Sequence, residues 1–282
     1  MRKCSKFHDC GNLHRAIKAK DDEFYTPYDF IDSELSNYED VLYGKSICLP
    51  CNDADMNFHK WFEDHKESLH LKRVVAVHYS TDSFSSWYID DGVKKVLPWG
   101  GDFRSYDVCQ LIKECDIIVT NPPFTLFTDF IRLMVRFDKK FIVLGNNIAV
   151  QYYQTFELFR TRQLELGYYK PSHAGNMFDR PDGSQKGVAI YWYQNVKHIV
   201  PAPLELTQTY SPDRYQKYDD YDAIECQSRN DIPVDYYGPI GVPVSYIPFW
   251  DPNEFDLLDN IGPHLNGKQM FKRFVIQRKK DH

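Results

Sequence analysis

The feature that most constrains this chain is a short apolar run followed closely by two consecutive prolines. Residues 117–119 (Ile-Ile-Val) are β-branched and predict a buried strand. Proline lacks the N–H that a sheet ladder needs, and it holds the residue before it in an extended conformation. The strand therefore has to end here in a rigid loop. The loop residues are Asn121, Pro122, Pro123 and Phe124.

The residue types in this loop suit the chemistry of a flat heterocyclic amine. The exocyclic amine of adenine is a poor nucleophile because its lone pair is conjugated into the ring. The Asn121 side-chain oxygen and nearby carbonyls can accept hydrogen bonds from that amine, which favours a pyramidal nitrogen able to attack a methyl donor. Phe124 adds a ring on which a base can stack, a contact worth roughly 1–3 kcal/mol.

The alternative interpretation of the loop is an ordinary proline turn, since Asn-Pro is a common turn dipeptide. Its position argues against that alternative. The loop directly follows an apolar strand and precedes an amphipathic stretch at residues 126–137. We therefore favour a role in methyl transfer.

Composition limits the class of protein. Hydrophobic residues make up 43% of the 282 residues, enough for a substantial core, and the net charge of −6 means that the chain is not globally basic. Basic residues concentrate at the C-terminal end, and a local patch is what matters for nucleic acid. No apolar run reaches about 18 residues, and the N-terminus has no apolar signal segment. We expect no membrane span and, with seven cysteines kept reduced, a cytoplasmic protein.

Four residues near the N-terminus resemble zinc ligands by type. They are Cys4, His8, Cys10 and His14. The interval between the pairs is far too short for a zinc finger, so we expect no metal site.

Strands alternate with helices along the first two thirds of the chain, which predicts an α/β fold with a mixed, mostly parallel sheet. Besides the central strand, the apolar runs predict strands at residues 45–50, 72–79, 139–145 and 187–193. The intervening patterns predict helices near residues 29–38, 61–62, 107–115, 126–137 and 152–159. We expect residues 80–101 and 171–185 to be loops.

Prolines and tyrosines without a helical period characterise the chain from about residue 195. We expect a flexible segment at residues 1–20, a catalytic domain at 21–195 and an irregular, β-leaning region at 196–282. Near its end, residues 271–274 (Phe-Lys-Arg-Phe) interleave basic and aromatic residues. That pattern suits phosphates and bases, and it equally suits a final sheet strand.

Polar residues at strand ends are the candidates for a cofactor site, because open α/β sheets bind ligands at the carboxyl ends of their strands. Thr26 stands before a proline, a pattern that marks either a helix start or a cofactor contact. Asp53 follows the first predicted strand, and Asp102 begins a later helix unit. His78 ends another strand, where we expect a packing role. The chain has no GxGxxG motif, so the dinucleotide fingerprint is absent.

The order of these segments resembles the EcoRI-type family of adenine-specific DNA methyltransferases over roughly residues 18–280. The matching stretches are residues 22–26 (Asp-Glu-Phe-Tyr-Thr), 51–53 (Cys-Asn-Asp), 101–105 (Gly-Asp-Phe-Arg-Ser), 116–124, 139–146, 241–246 and 266–268. Asn-Pro-Pro-Phe alone is shared by many amino-methyltransferases. The ordered set is specific to this family.

The resemblance implies a Rossmann-like class I methyltransferase that transfers a methyl group from S-adenosylmethionine (AdoMet) to adenine N6 in duplex DNA. Residues 121–124 would form the catalytic pocket for a base flipped out of the duplex. Those that would contact AdoMet are Tyr25, Thr26, Cys51, Asn52, Asp53, Asp102 and Phe103. The C-terminal region would recognise the DNA target, and a cognate restriction nuclease is a possible partner. The strand ending at His78 lacks the acidic residue that many methyltransferases place on the AdoMet ribose.

Two other functions remain open on these residues. One is methylation of another planar amine or amide, such as an RNA adenine or a protein glutamine. The other is a DNA-binding protein that has lost catalysis. AdoMet binding and the identity of the methylated product separate the three.

Overall fold

The computed structural model describes residues 26–51, 56–80, 85–169, 176–179 and 185–280. These residues form two compact units. The first comprises the described residues up to Asn147 together with Gly167–Lys197. The second comprises Ile148–Leu166 and the described residues from His198 onward.

The predicted strands and helices are present in the predicted order, and further elements lie between and after them. The helices are α1 (Tyr28–Leu35), α2 (Glu39–Leu42), α3 (Asn57–Asp64), α4 (Tyr106–Glu114), α5 (Phe127–Arg136) and α6 (Tyr153–Arg160). The first six strands are β1 (Ser46–Leu49), β2 (Arg73–His78), β3 (Trp87–Asp90), β4 (Val93–Val96), β5 (Ile117–Thr120) and β6 (Lys140–Asn146). The next five are β7 (Glu165–Leu166), β8 (Asn176–Asp179), β9 (Gln185–Val188), β10 (Ile190–Gln194) and β11 (Ile224–Glu225). The last five are β12 (Pro239–Pro243), β13 (Phe255–Ile261), β14 (His264–Leu265), β15 (Lys268–Gln269) and β16 (Arg273–Arg278).

Short 3-10 helices complete this list of elements. They lie at Ser36–Tyr38, Phe124–Leu126, Asn147–Gln151, Arg229–Asp231 and Val244–Phe249. Within the described ranges, no helix is long and apolar enough to cross a bilayer.

Seven strands of the first unit form one mixed sheet in the order β4-β3-β2-β1-β5-β6-β10. Pairing is parallel across the central four, β2, β1, β5 and β6. It is antiparallel at both flanks, between β2 and β3, β3 and β4, and β6 and β10. The expectation of a mixed sheet is confirmed, but among these described strands parallel pairing is confined to the centre and is not the majority.

The chain changes direction across the sheet between β1 and β5. From β1 it moves to β2 on one side, and it later returns to β5 and β6 on the other side. The apolar residues of the two central strands are buried, as their β-branched, unbroken apolar runs predict. The sheet therefore has a topological switch point between β1 and β5, where α/β folds bind their ligands.

Side-chain hydrogen bonds fix the entries to the central strands. Asp116, just before β5, accepts from the Ser46 N–H (2.9 Å) and hydroxyl (2.7 Å) at the start of β1. The Ser46 N–H is the main reason why the pKa of Asp116 lies below its usual value. Ser105 accepts from the Val108 N–H at 3.4 Å and caps α4, as its position before the helix predicts.

Residues 80–101 are not a loop throughout, which corrects the prediction. β3 and β4 form a hairpin, with Asp91 (φ 49°) and Gly92 (φ 80°) in the turn between them. Positive φ at both turn residues is the geometry for which Asp-Gly is favoured. The Asp-Gly pair was therefore a hairpin signal that the many polar residues of the stretch obscured.

The prediction that residues 171–185 form a loop is wrong in part. Asn176–Asp179 is a strand, β8, which pairs antiparallel with β9. The late strand predicted at 187–193 begins at Ile190, because residues 185–188 belong to β9. The four N-terminal residues that resemble zinc ligands by type, for which no metal site is expected, lie outside the described residues.

The second unit contains a four-stranded sheet in the order β11-β12-β16-β13. Its core includes Phe156 of α6, which stacks on Phe274 of β16 at 5.6 Å between ring centroids. A buried ion pair joins two of its strands, because Arg273 donates to both carboxylate oxygens of Glu225 (2.8–3.2 Å). Arg273 and Phe274 are therefore interior strand residues and are not available to bind nucleic acid.

Candidate active site

The loop at residues 121–124 begins where β5 ends, at the switch point of the sheet. β5 ends at the buried Thr120, and Asn121 follows at once. On the neighbouring strand, β1 ends at Leu49 and leads to Cys51. The carboxyl ends of the two strands lie side by side because Ile47 pairs with Ile117 and Cys48 with Ile118.

Thr26 is the residue that holds Asn121. The Asn121 Nδ2 donates to the Thr26 hydroxyl oxygen at 3.4 Å, and Thr26 is only 5% exposed. The Thr26 carbonyl in turn accepts from Asn57 Nδ2 at 2.8 Å. Because Nδ2 and Oδ1 belong to one planar amide, the contact with Thr26 also fixes the position of Oδ1.

The rest of the loop is short and constrained. Pro122 is buried and Phe124 is half-buried in the first turn of a 3-10 helix. The Leu126 N–H donates to the Pro123 carbonyl at 2.9 Å and closes that turn. Phe124 is thus presented on a rigid backbone directly after the two prolines.

Phe127, the first residue of α5, anchors the far end of the loop to β6. Its ring lies against Gly145, where an added Cβ would come within 2.4 Å of the ring. The ring also contacts Tyr193, at 4.8 Å between centroids. Only glycine at residue 145 lets the helix start so close to the sheet.

Cys51 lies at the end of β1 beside the site. The removal of its thiol from water raises the pKa of Cys51 well above the usual value. The negative charge of Asp102 adds to that rise, and the Thr120 hydroxyl, which hydrogen-bonds the sulfur, opposes it. The thiol therefore stays protonated at neutral pH. Cys51 lies beside the site and does not act as a nucleophile.

Asp102 contributes a carboxylate held in a defined orientation. The Arg104 guanidinium pairs with it at 2.8 Å, and the Arg104 N–H donates to the same side chain at 2.8 Å. Gly101, just before it, packs directly on the end of β2, where an added Cβ would lie 2.6 Å from the His78 carbonyl oxygen. The carboxylate is therefore carried to the carboxyl end of β2, next in the sheet to β1.

The structure brings together some of the predicted site residues and not others. Thr26 and Asn121 are in contact, and the charge of Asp102 acts on Cys51. Phe103 is only 3% exposed and packs edge-on against Phe130, at 5.2 Å between centroids. The others predicted to contact AdoMet, Tyr25, Asn52 and Asp53, lie outside the described residues.

His78 is the last residue of β2, where the sequence predicts a packing role. The His78 ring stacks on Trp87 at 4.7 Å, a packing contact between neighbouring strands. Across the described residues no cluster of three or more His, Cys, Asp or Glu could hold a metal ion.

Two residues of the site were not assigned to it from the sequence. Asn57 is the first residue of α3, and its side chain reaches back to hold the Thr26 carbonyl. Arg104 orients Asp102. The only sequence signal for this contact is that Arg104 stands two residues after Asp102, because an aspartate side chain often accepts from the backbone N–H two residues further on.

Comparison with known proteins identifies the class of this fold and site. The chain matches the family model described as adenine-specific methyltransferase EcoRI over residues 12–96 and 89–282. It is 36% identical to the type II methyltransferase M.MpnI of Mycoplasma pneumoniae, over 88% of this chain and 85% of that protein. It is 31% identical to the type II methyltransferase M.EcoRI of Escherichia coli, over 95% of this chain and 96% of that protein.

A third relative agrees with these matches. The chain is 32% identical to the type II methyltransferase M.MgeORF184P of Mycoplasma genitalium, over 95% of this chain and 98% of that protein. No solved structure gives a significant match.

The mixed α/β sheet and the family match together define a Rossmann-like methyltransferase. More closely, the chain belongs to the EcoRI family of adenine-specific methyltransferases. It is therefore an enzyme, an adenine-specific DNA methyltransferase.

Proposed function

We propose that this enzyme transfers a methyl group from AdoMet to N6 of an adenine within a specific duplex DNA sequence. The adenine is flipped out of the duplex into a pocket formed by residues 121–124. The observation that carries this proposal is the position of Asn121, which lies at the switch point with its amide oriented by the buried Thr26.

The residues of the loop supply what N6 methylation requires. The Asn121 side-chain oxygen and the Pro122 carbonyl accept the two N6 hydrogens, which favours a pyramidal nitrogen with an available lone pair. The Phe124 ring stacks on the face of the flat base and holds its amine against those acceptors. Both acceptors are in place before the base enters, because the prolines and Thr26 fix the loop.

AdoMet supplies an electrophilic methyl group on a positively charged sulfur. The N6 lone pair forms a bond to the methyl carbon as the bond from that carbon to sulfur breaks, and N6 then loses one proton to water. No covalent bond to the protein is needed. Residues 121–124 act by position and hydrogen bonding alone.

The described residues at the switch point fit AdoMet in chemical type. Asp102 provides a fixed, partly exposed carboxylate that can accept from the adenine amine of AdoMet. Thr26 contacts Asn121 just after β5, and Cys51 follows β1 on the other side of the switch point. The chain has no glycine-rich phosphate loop, which agrees with a ligand that carries no pyrophosphate.

Flipping the target base costs a few kcal/mol in lost pairing and stacking. Stacking on Phe124 and the two hydrogen bonds offset that cost. A base without an exocyclic amine at the same position lacks donors for Asn121 and Pro122. The proposed pocket therefore favours a base with such an amine, as adenine has, over a base without one.

The type II methyltransferases that the chain resembles supply the context for the proposal. We expect a short, defined recognition sequence. DNA modified by this enzyme would then resist a restriction nuclease that reads the same sequence, if one accompanies it.

Incubation of the enzyme with radiolabelled AdoMet and unmethylated DNA, followed by nucleoside analysis, tests the reaction. We expect label in N6-methyldeoxyadenosine, and sequencing of the modified positions then gives the recognition site. Label that is absent from DNA but present in RNA or protein would show that the substrate is RNA or protein and not DNA. AdoMet bound without transfer to any of the three would indicate a DNA-binding protein without catalysis.

Substitution of Asn121 tests the mechanism. We expect Asn121→Ala to lower kcat by about 100- to 1,000-fold, the usual cost of losing one group that stabilises the transition state. AdoMet binding, measured by calorimetry, stays close to that of the wild type, because the amide acts on the target amine. Asn121→Asp retains an acceptor oxygen and should keep more activity than the alanine variant. An Asn121→Ala enzyme with wild-type turnover contradicts the mechanism.

A further inference from the structure

The 266–272 tip is a surface segment of the second unit that the catalytic proposal does not use. It connects β14 through β15 to β16, and its residues are Asn266, Gly267, Lys268, Gln269, Met270, Phe271 and Lys272. Phe271 is 89% exposed, the highest value among the large hydrophobic residues that the structure describes. Full exposure of a phenylalanine ring to water is unfavourable, and the segment contains two lysines and no acidic residue.

The first half of the tip is held in place by side chains from another loop. Asn266 (φ 52°) and Gly267 (φ 74°) form the turn of the β14–β15 hairpin. The Asp219 carboxylate accepts from both of their N–H groups, at 3.2 and 2.7 Å. Asp220 likewise accepts from the N–H (2.9 Å) and ring nitrogen (2.7 Å) of His264. The nearby carboxylates are thus turned toward donors of the tip and of His264.

The second half of the tip is held from beneath by the buried ion pair. Arg273 Nη1 donates to the carbonyls of Phe271 and Lys272, at 3.3 Å each. Its remaining nitrogens bind Glu225, which also accepts from the Tyr218 hydroxyl. A buried charged network therefore fixes the backbone at Phe271. The Phe271 backbone is therefore held in place, although the Phe271 side chain is exposed to solvent.

A rigid, cation-flanked aromatic ring fits one class of partner best. Lysines flanking the ring attract phosphates, and the ring itself stacks on a base or inserts between base pairs. Ring insertion unstacks the duplex, and a preorganised backbone reduces the entropy cost of binding. A protein partner would call for a larger apolar patch than a single ring.

We propose that the 266–272 tip binds duplex DNA, with Phe271 stacked against base pairs and Lys268 and Lys272 on the backbone phosphates. The proposal rests on the proposed function, because it takes the DNA substrate as given. The sequence pattern suggested a nucleic-acid contact for all of residues 271–274. In this proposal only Phe271 and Lys272 contact DNA, and Arg273 and Phe274 support them from the interior.

Binding of the full-length variants to duplex DNA tests the assignment. The probe is a short fluorescein-labelled duplex that contains the site mapped by the methylation assay, and the readout is fluorescence anisotropy. We expect Phe271→Ala to raise Kd by about 5- to 150-fold, the range for loss of one aromatic stacking contact. Phe271→Trp should retain affinity, and its additional tryptophan emission should change when the duplex binds.

The contribution of the lysines is measured by the salt dependence of DNA binding. We expect Lys272→Ala to reduce the slope of log Kd against log salt by about one, because one phosphate contact is lost. AdoMet binding and the thermal unfolding midpoint should be unchanged in both variants, since both side chains are exposed. Tyr43→Ala, which removes an exposed aromatic of the first unit just before β1, is the matched control and should bind DNA like the wild type.

The outcomes separate this proposal from the proposed function. A wild-type enzyme that methylates DNA, together with an unchanged duplex Kd for Phe271→Ala and an unchanged salt slope for Lys272→Ala, overturns the proposed DNA contact of the tip while the proposed function stands. A wild-type enzyme that neither binds nor methylates DNA overturns both. An equal loss of affinity in the Tyr43→Ala control also overturns the tip, because the effect would then not be local.

Discussion

Thr26 shows how one side chain can connect distant parts of the sequence. Its position before a proline predicted either a helix start or a cofactor contact, and α1 does begin two residues later. The structure adds a contact that the pattern could not show, because the Thr26 hydroxyl meets Asn121, 95 residues further along the chain. We interpret Thr26 as a positioning residue for the Asn121 amide, which we propose acts on the target amine.

Replacing Thr26 by valine removes the hydroxyl and keeps the shape of the side chain. We expect Thr26→Val to lower kcat by about 5- to 10-fold, since one neutral hydrogen bond is worth about 1 kcal/mol. Thr26→Ser retains the hydroxyl and should restore most of the rate. Steady-state kinetics with both substrates provides the measurement. A rise in the KM for AdoMet at unchanged kcat would mean that the hydroxyl acts on the cofactor and not on Asn121.

At the scale of an element, the β3–β4 hairpin extends the sheet through charged contacts as well as hydrogen bonds. Asp90 of β3 accepts from Arg73 of β2 at 2.6 and 3.0 Å and from Lys95 of β4 at 2.6 Å. Arg73 also pairs with Glu114 of α4 at 2.9 Å. The polar composition that suggested a loop is therefore what ties three neighbouring strands together.

Asp90 should make stability depend on pH. Its pKa in the folded protein is lowered, mainly by Arg73 and further by Lys95. A carboxylate with a lowered folded pKa stabilises the fold above its unfolded pKa of about 3.9, and the contribution is lost as pH falls through the folded pKa. Urea unfolding should show Asp90→Asn less stable by about 1.5–3 kcal/mol at pH 7.

The difference between wild type and Asp90→Asn should shrink as the pH falls below about 4. Asp256→Asn is the control, because Asp256 makes one exposed pair with Lys279 at 3.3 Å. Such surface pairs contribute about 0–1 kcal/mol. A difference that is the same at pH 7 and pH 3 would show that the Asp90 charge is not the cause.

At the scale of the whole molecule, the chain passes between its two units more than once. Ile148–Leu166 belongs to the second unit although the segments before and after it belong to the first. Within that unit Asn260 Nδ2 donates to the Gln151 carbonyl at 2.7 Å, and Phe156 stacks on Phe274. The predicted boundary between a catalytic domain (21–195) and a target-recognition region (196–282) concerns function and stays a prediction. The two compact units concern packing only.

A chain that ends at Lys197 should therefore not give a well-folded catalytic fragment. Removal of residues 198–282 would expose Phe156 and Phe159, which are buried in the intact protein. We expect such a fragment to bind the dye ANS and to aggregate, as proteins with exposed core surface do. A soluble monomer without dye binding would contradict this expectation. The full-length chain under the same conditions is the control.

The sequence predicts the parts of this fold that depend on local pattern. Residues 117–119 and the helix after them were clear because apolar periodicity and proline act over a few residues. The burial of Arg273 was not predictable, since it depends on Glu225, 48 residues away in the chain. The role of Asn57 was missed for the same reason, because a helix-start asparagine resembles a cap until its partner is known.

The outer strand of the main sheet has a consequence for behaviour in solution. β4 lies at one end of the strand order, and all four of its residues are exposed, Val93 and Val96 among them. An unpaired apolar edge is a template on which another molecule can add a strand. Lys94 and Lys95 occupy the middle of this edge, and lysines on an edge strand oppose the addition of a strand from another copy. We therefore expect the hairpin that widens the sheet also to resist edge-to-edge association of the enzyme at high concentration.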